Sequence, residues 1–251
     1  MARMTPVISG TTALVGLLRD PAGASLSPRM QNAAFAALAL DVAYVPLGVA
    51  PERLEDGVRG LVAFGFLGAN VTTPHKLAVT ALCDEVEGGV ESVNTLVIRD
   101  GRVLGSSTDT AALGDRRPER AAVIGHGGAA TAWIAELESR GSVVDVFSRS
   151  TAWPPTVEGA ELVVHATPVR DELLFEPGPG QTVIDLAYRA EGGETAHAAA
   201  ARAAGAELVD GLDVLVAQGA ASFALWTGLP APVAVMRAAV RVEGPAGAGP
   251  S

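Results

Sequence analysis

Six consecutive residues carry the clearest chemistry in the chain. Gly125-His126-Gly127-Gly128-Ala129-Ala130 follows an apolar run, Ala121 to Ile124, and opens a helical stretch reaching Arg140. A strand, a G-x-G-x-x-[G/A] turn and a helix in that order read as a dinucleotide site. The first glycine permits the tight turn, the second lets backbone approach a pyrophosphate, and the small last residue lets helix and strand pack. The pyrophosphate then meets free N–H groups and the positive dipole end of the helix. Gly125, His126, Gly127, Gly128 and Ala129 are the expected contacts. The next strand ends in Ser148-Arg149-Ser150, where an NAD-binding unit usually carries Asp or Glu for the ribose 2′-hydroxyl. A guanidinium flanked by two hydroxyls suits a 2′-phosphate, so NADP is the expected cofactor. Asp145, earlier in that strand, reads as a partly buried polar residue.

Other reactive residue types are weaker signals taken singly. Lys76 falls at the start of a stretch read as helical, His75 to Cys83, the wrong helix end for a cation. Ser25-Leu26-Ser27-Pro28 reads as a helix cap with proline in the first turn, or as two hydroxyls placed to hold a carboxylate. Cys83 is the one cysteine, which leaves no intrachain disulfide and reads as a small buried hydrophobe. Four histidines without clustered cysteines give no metal-ligand spacing, and no metal is expected.

Composition narrows the class. Apolar residues make 49% and charged residues 18% of the 251 residues, enough for a real core. A net charge of −10 argues against a nucleic-acid partner, which needs a basic face. No apolar run of about 20 residues suggests a membrane span, and no signal peptide is visible. A cytoplasmic protein is expected.

The elements that must position these residues alternate. Thr12 to Leu18, Val42 to Val49 and Gly65 to Val71 read as strands, with helices at Pro28 to Leu40 and Pro51 to Ala63. Ser92 to Arg99 and Val103 to Ser106 flank Asp100-Gly101, a hairpin signal. A second α/β unit begins after Arg116-Arg117-Pro118-Glu119-Arg120, with strands at Ala121 to Ile124, Ser142 to Phe147, Leu162 to His165 and Thr182 to Leu186. Helices are expected at Thr195 to Ala204, Leu212 to Trp226 and Ala231 to Val242. The fold class is α/β: an N-terminal three-layer unit (1–107 with 212–243), a Rossmann-like dinucleotide unit (108–211) and C-terminal helices packing back on the first. The Gly/Pro/Ala-rich tail, 244–251, is expected to be disordered.

Five motifs in order resemble the shikimate dehydrogenases: Ser25-Leu26-Ser27-Pro28; Gly68-Ala69-Asn70-Val71-Thr72-Thr73-Pro74-His75-Lys76; Ser92-Val93-Asn94-Thr95; Thr108-Asp109 with Gly114; and Leu215-Val216-Ala217-Gln218-Gly219-Ala220 with Phe223 and Trp226. The glycine turn falls between the fourth and fifth. The resemblance spans residues 14 to 240. It implies reversible NADP-dependent reduction of 3-dehydroshikimate, or of a close analogue such as a quinate or aminoshikimate precursor, in aromatic amino acid biosynthesis. Lys76 resembles the catalytic lysine and Asp109 its partner. Ser25 and Ser27 resemble the carboxylate-binding pair, and Thr72, Asn94, Tyr188 and Gln218 the residues around the ring. Thr167 and Gly211 join the cofactor contacts by the same resemblance. A monomer or a homodimer fits the family.

The chain departs from the family's pattern. Gln31 stands in place of a histidine, and Ser107 in place of an asparagine that would support Asp109. Asp213 and Val214 stand where a small or neutral residue and a methionine usually lie near the nicotinamide. Only residues 151–161 separate Ser150 from Leu162, with two adjacent prolines and no room for the usual helix plus strand. The cofactor unit is therefore expected to be trimmed on the adenosine side, with Trp153 placed to stack on adenine. The alternative is a relative that binds a cyclic hydroxy acid but has lost or altered dinucleotide use.

Overall fold

The computed structural model describes residues 8–20 and 25–241. The first unit runs β1 (Ala13–Arg19), α1 (Ser27–Ala37), β2 (Val42–Gly48), α2 (Leu54–Ala63), β3 (Gly68–Val71), β4 (Glu85–Val86), β5 (Thr95–Arg99) and β6 (Arg102–Ser106). Its sheet has the order β2-β1-β3-β5-β6-β4. β1 pairs in parallel with both β2 and β3, while β5 runs antiparallel to β3 and β6. Asp100 and Gly101 both have positive φ, 51° and 76°, the two-residue turn whose twist matches a hairpin.

The second unit runs β7 (Arg120–Ile124), α3 (Gly128–Ser139), β8 (Val143–Phe147), β9 (Leu162–His165), β10 (Thr182–Asp185), α4 (Ala196–Ala204) and β11 (Glu207–Val209). Its five strands are parallel in the order β11-β10-β9-β7-β8. The chain closes with α5 (Gly211–Thr227) and α6 (Val233–Val240).

Each sheet is covered on both faces, the expected two-domain α/β architecture. One face of the first sheet packs Leu17, Met30, Phe35, Val216, Phe223 and Met236 from β1, α1, α5 and α6. The other packs Leu18, Val58, Leu61, Ala69 and Val79 against α2. In the second sheet Trp133 and Leu137 of α3 cover one face and Val157, Phe175 and Ala201 the other. α5 ties the units together. Val214 in its first turn joins the core of the second sheet, while Leu215, Phe223 and Trp226 join that of the first.

Several elements differ from expectation. Residues 75–83 form no α-helix. A cis Thr73–Pro74 turn leads into a short 3-10 turn, Ala78–Leu82. The carbonyl of Lys76 accepts from the N–H of Val93 and the hydroxyl of Thr80, so the backbone there is tied to the segment before β5. Lys76 therefore opposes no helix dipole. The strands β4 and β11 are two and three residues long, too short for an alternating pattern to show. Between β8 and β9 there is no helix: an isolated bridge, Ser148 to Ala152, and a packed turn make the crossover. The second sheet is trimmed as expected, and β8 is its edge. The tail at 244–251 lies outside the described residues.

Candidate active site

Both sheets reverse their strand order beside their first strand, between β1 and β3 and between β7 and β9. Ligands of open α/β sheets bind at such points, beyond the carboxyl ends of the strands. A cavity of about 390 Å³ lies here and is lined from both units. Leu17, Ser25, Ser27, Thr72, Lys76, Asn94 and Asp109 come from the first unit, and Ala129, Trp133, Leu186 and Tyr188 from the second. Gly211, Val214 and Gln218 of α5 complete the wall.

The Lys76 ammonium donates to both carboxylate oxygens of Asp109 at 2.7 and 2.6 Å, and the side chains are 13% and 10% exposed. A charge pair this buried needs further donors to offset its lost hydration. Asn94 provides one, donating to Asp109 at 2.9 Å, while its carbonyl oxygen accepts from the N–H of Thr108 at 2.8 Å. Behind Asn94 lies a buried polar network that sequence reasoning left unassigned. Asn70 accepts from the phenol of Tyr44 at 2.8 Å and donates to Ser222 at 2.9 Å, and Ser222 meets Thr95 and Thr108. The one available signal was polar residues inside otherwise apolar strand and helix runs. Burial is the chief cause holding the Tyr44 phenol well above its ordinary titration range, so it stays a neutral donor.

Ser25 and Ser27 do not cap α1 by side chain. The cap position is Leu26, and the Ser25 hydroxyl accepts from the N–H of Ser27 at 3.2 Å. Both serines face the cavity instead. Burial is the chief cause raising the pKa of the Tyr188 phenol, with Leu26, Ser25 and Arg170 opposing it. Gln218 touches Asn94 at 3.4 Å and donates to the carbonyl of Leu215. Gln31 clips α1 to α5 through the carbonyl of Gly219 at 2.9 Å. Ser107 has a buried hydroxyl with no partner among the described residues, so support of Asp109 falls to Asn94. Asp213 bonds Arg237 and Arg241, which neutralise its charge. Burial pushes the Cys83 thiol up to about 11, far from a nucleophile's range.

The glycine turn closes the other side. Gly125 has φ +135°, and a Cβ there would stand 2.6 Å from the carbonyl oxygen of Ala166, so only glycine fits between β7 and β9. Gly127 faces open space, and no side chain caps α3. These free N–H groups suit a pyrophosphate. Ala130 is buried against the sheet, as the motif requires. Gly128, at the start of α3, lies so near the dyad that a Cβ would stand 3.0 Å from Cβ of Lys76. His126, Ser148, Arg149, Ser150 and Thr167 do not line the cavity; they ring the carboxyl ends of the second sheet. Ser148 is buried and bonds Ser150 and Thr151, while Arg149 is exposed with its guanidinium 5.8 Å from the Trp153 ring centre. Asp145 pairs with Arg120 at 2.9 Å, away from any ribose role. These residues fit a dinucleotide with a 2′-phosphate.

Below the turn, sequence spacing held no hint that His165, Asp185 and His197 meet with all three fully buried. His165 donates to Asp185 at 2.8 Å and accepts from Thr167 at 2.6 Å. The N–H of Leu174 donates to Nε2 of His197 at 3.0 Å. The proton of neutral His197 is then on Nδ1, which leaves no lone pair there for a metal.

Comparison with known proteins places this geometry. Residues 17–96 match the shikimate dehydrogenase substrate binding domain, and residues 211–241 the shikimate 5′-dehydrogenase C-terminal domain. The NADP(+) shikimate dehydrogenase of Anaeromyxobacter sp. (strain Fw109-5) is 42% identical, covering 95% of this chain and 99% of its own. The chain belongs to the shikimate dehydrogenase family. The alignment with that relative runs over 280 positions although this chain has 251 residues, so the relative carries segments missing here, in keeping with the shortened β8–β9 link. Among solved structures, a shikimate dehydrogenase in complex with NADP+ is 27% identical, with a TM-score of 0.84 over 94% of this chain and 97% of its own. The Thermus thermophilus enzyme in complex with NADP(H) and shikimate is 30% identical, with a TM-score of 0.78 over 91% and 98%. No helix among the described residues is long and apolar enough to cross a membrane.

Proposed function

We propose that this chain is an NADP-dependent shikimate dehydrogenase that interconverts shikimate and 3-dehydroshikimate. The observation that carries the reading is the buried Lys76–Asp109 pair, shared between a polar cavity and the glycine turn. NADP, when bound, supplies the hydride chemistry at the ring carbon. Gly125, Gly127 and Gly128, with the N-terminus of α3, hold its pyrophosphate, and Arg149 its 2′-phosphate. Lys76 gives the proton to the ring carbonyl oxygen in reduction and takes it from the hydroxyl in oxidation. Asp109 holds the ammonium at two points, so its direction is fixed before substrate arrives. Asn94 keeps Asp109 turned toward Lys76. Thr72, Asn94 and Gln218 hold the ring hydroxyls, and Ser25, Ser27 and Tyr188 take the carboxylate end. The enzyme works in the cytoplasm as a monomer or homodimer.

Turnover of shikimate with NADP tests the dyad. Lys76→Ala should lower kcat about 10²–10⁴-fold with little loss of shikimate affinity, the span of a general acid–base group. An unchanged kcat removes Lys76 from the mechanism. One observation favours a second reading, a ring-acid binder with altered dinucleotide use: the helix-free crossover after Arg149, which leaves β8 at the sheet edge.

A further inference from the structure

His165 ends β9 and Asp185 ends β10, and the two are partners in the parallel register. Their side chains therefore leave the sheet side by side on one face, where both are fully buried. An ionised carboxylate only accepts hydrogen bonds. Asp185 accepts from the N–H of Ala187 at 3.0 Å, from the Thr195 hydroxyl and from Nδ1 of His165 at 2.8 Å. Thr195 is itself held in place as the cap of α4, where its oxygen accepts from the N–H of Ala198 at 3.1 Å. The direction of donation then passes along the chain of bonds. With the ring proton on Nδ1, the other nitrogen of a neutral imidazole is an acceptor. That nitrogen lies 2.6 Å from the Thr167 oxygen, so the Thr167 hydroxyl spends its proton on His165. Of the two lone pairs on the Thr167 oxygen, the N–H of Val169 takes one at 3.2 Å. One acceptor position is left among the described residues, on a half-buried side chain just past the carboxyl end of β9.

An oxygen with no proton to give repels a phosphate, which brings only acceptors, and suits a hydroxyl. The sheet says which hydroxyl. β7 lies between β9 and β8. The glycine turn follows β7, and Arg149 follows β8. A dinucleotide with its pyrophosphate on the turn and its 2′-phosphate at Arg149 extends its nicotinamide half over β9. Thr167 stands on that side, next to Ala166, whose carbonyl oxygen lies 2.6 Å from where a Cβ of Gly125 would be.

We propose that Asp185 and His165 are positioning residues that lock the Thr167 hydroxyl as an acceptor for a hydroxyl of the ribose bearing nicotinamide; the inference rests on the NADP reading above. The test is calorimetric titration of the full-length protein with NADP and with adenosine 2′,5′-bisphosphate, the half of the cofactor assigned to β8. Thr167→Val keeps the side chain's shape. It should weaken NADP ~3–10-fold, the span of one neutral hydrogen bond, and leave the bisphosphate unchanged. Thr167→Ser should bind NADP like wild type. His165→Asn, whose amide reaches Asp185 but not Thr167, should weaken NADP by a similar factor and add nothing in the Thr167→Val background, because the two act as one unit. Nitrogen NMR of the wild-type imidazoles reads the lock without a His165 variant: Nδ1 of His165 should carry the proton and Nε2 should be bare. The opposite tautomer overturns the proposal, as do additive losses in the double variant. Unchanged NADP affinity in Thr167→Val also overturns it and leaves the enzyme reading intact. Equal loss of NADP and bisphosphate overturns it too, since that marks a disturbed sheet end. A wild-type protein that binds neither compound removes the NADP reading, and this inference with it.

Discussion

At the scale of single residues, the proposed function gives two charged groups separate tasks, Arg149 the cofactor and Lys76 the chemistry. Lys76 is buried and bound on two points to Asp109; Arg149 is exposed and lies over Trp153. The first arrangement fixes the direction of an ammonium, and the second holds a planar fork beside an aromatic face. Arg149→Ala should therefore weaken NADP binding about tenfold or more while leaving NAD binding nearly unchanged, because only NADP carries the phosphate the fork matches. Fluorescence titration with NADPH and NADH measures this directly, and equal weakening of both would contradict a 2′-phosphate role. Most of the cavity's side chains were legible in the sequence because motif order carries their identity. Asn70, Thr95, Thr108 and Ser222 were not assigned, since a polar residue in a strand or helix reveals its partners only once strands are in register.

At the scale of elements, the buried histidines beneath the cofactor turn couple α4 to the second sheet. His197, in the first turn of α4, has its pKa lowered from 6.5 to about 4, first by burial and then by His165, with Asp185 opposing. The unfolded chain takes up this proton below its ordinary value, while the folded chain refuses it until about pH 4. Stability therefore falls as pH drops between those values, by on the order of 3 kcal/mol for the full shift. Denaturant unfolding across that window should show a shallower pH slope in His197→Leu than in wild type, whatever the variant's absolute stability. An unchanged slope would assign the acid sensitivity to other groups. Most elements of this fold follow from apolar periodicity and turn residues, as at β7, α3 and the Asp100-Gly101 hairpin. The misread helix at 75–83 shows the limit of periodicity. Its residues have helical spacing, yet the carbonyl of Lys76 is taken by Val93 and Thr80, a long-range competition no local pattern contains.

At the scale of the whole molecule, the proposed function depends on two reversal points facing one another. The substrate side is built from β1, β3, β5 and α5, and the cofactor side from β7, β9 and α3, with Gly128 nearly touching Lys76 across the cavity. α5 carries Val214 into one core and Phe223 into the other, so the two halves are joined by a rigid element as well as by loops. The shortened link after Ser150 removes the outer part of the cofactor sheet and leaves the glycine turn and Arg149 in place. The prolines in residues 151–161 made this trimming visible in the sequence. The meeting of the two halves was not visible there, because it depends on tertiary packing. The most direct test of the whole arrangement is the rate of NADPH formation by purified protein at saturating shikimate, with NADP and NAD compared in parallel. Turnover with NADP well above that with NAD is the expected result; no turnover with either cofactor would contradict an NADP-dependent shikimate dehydrogenase.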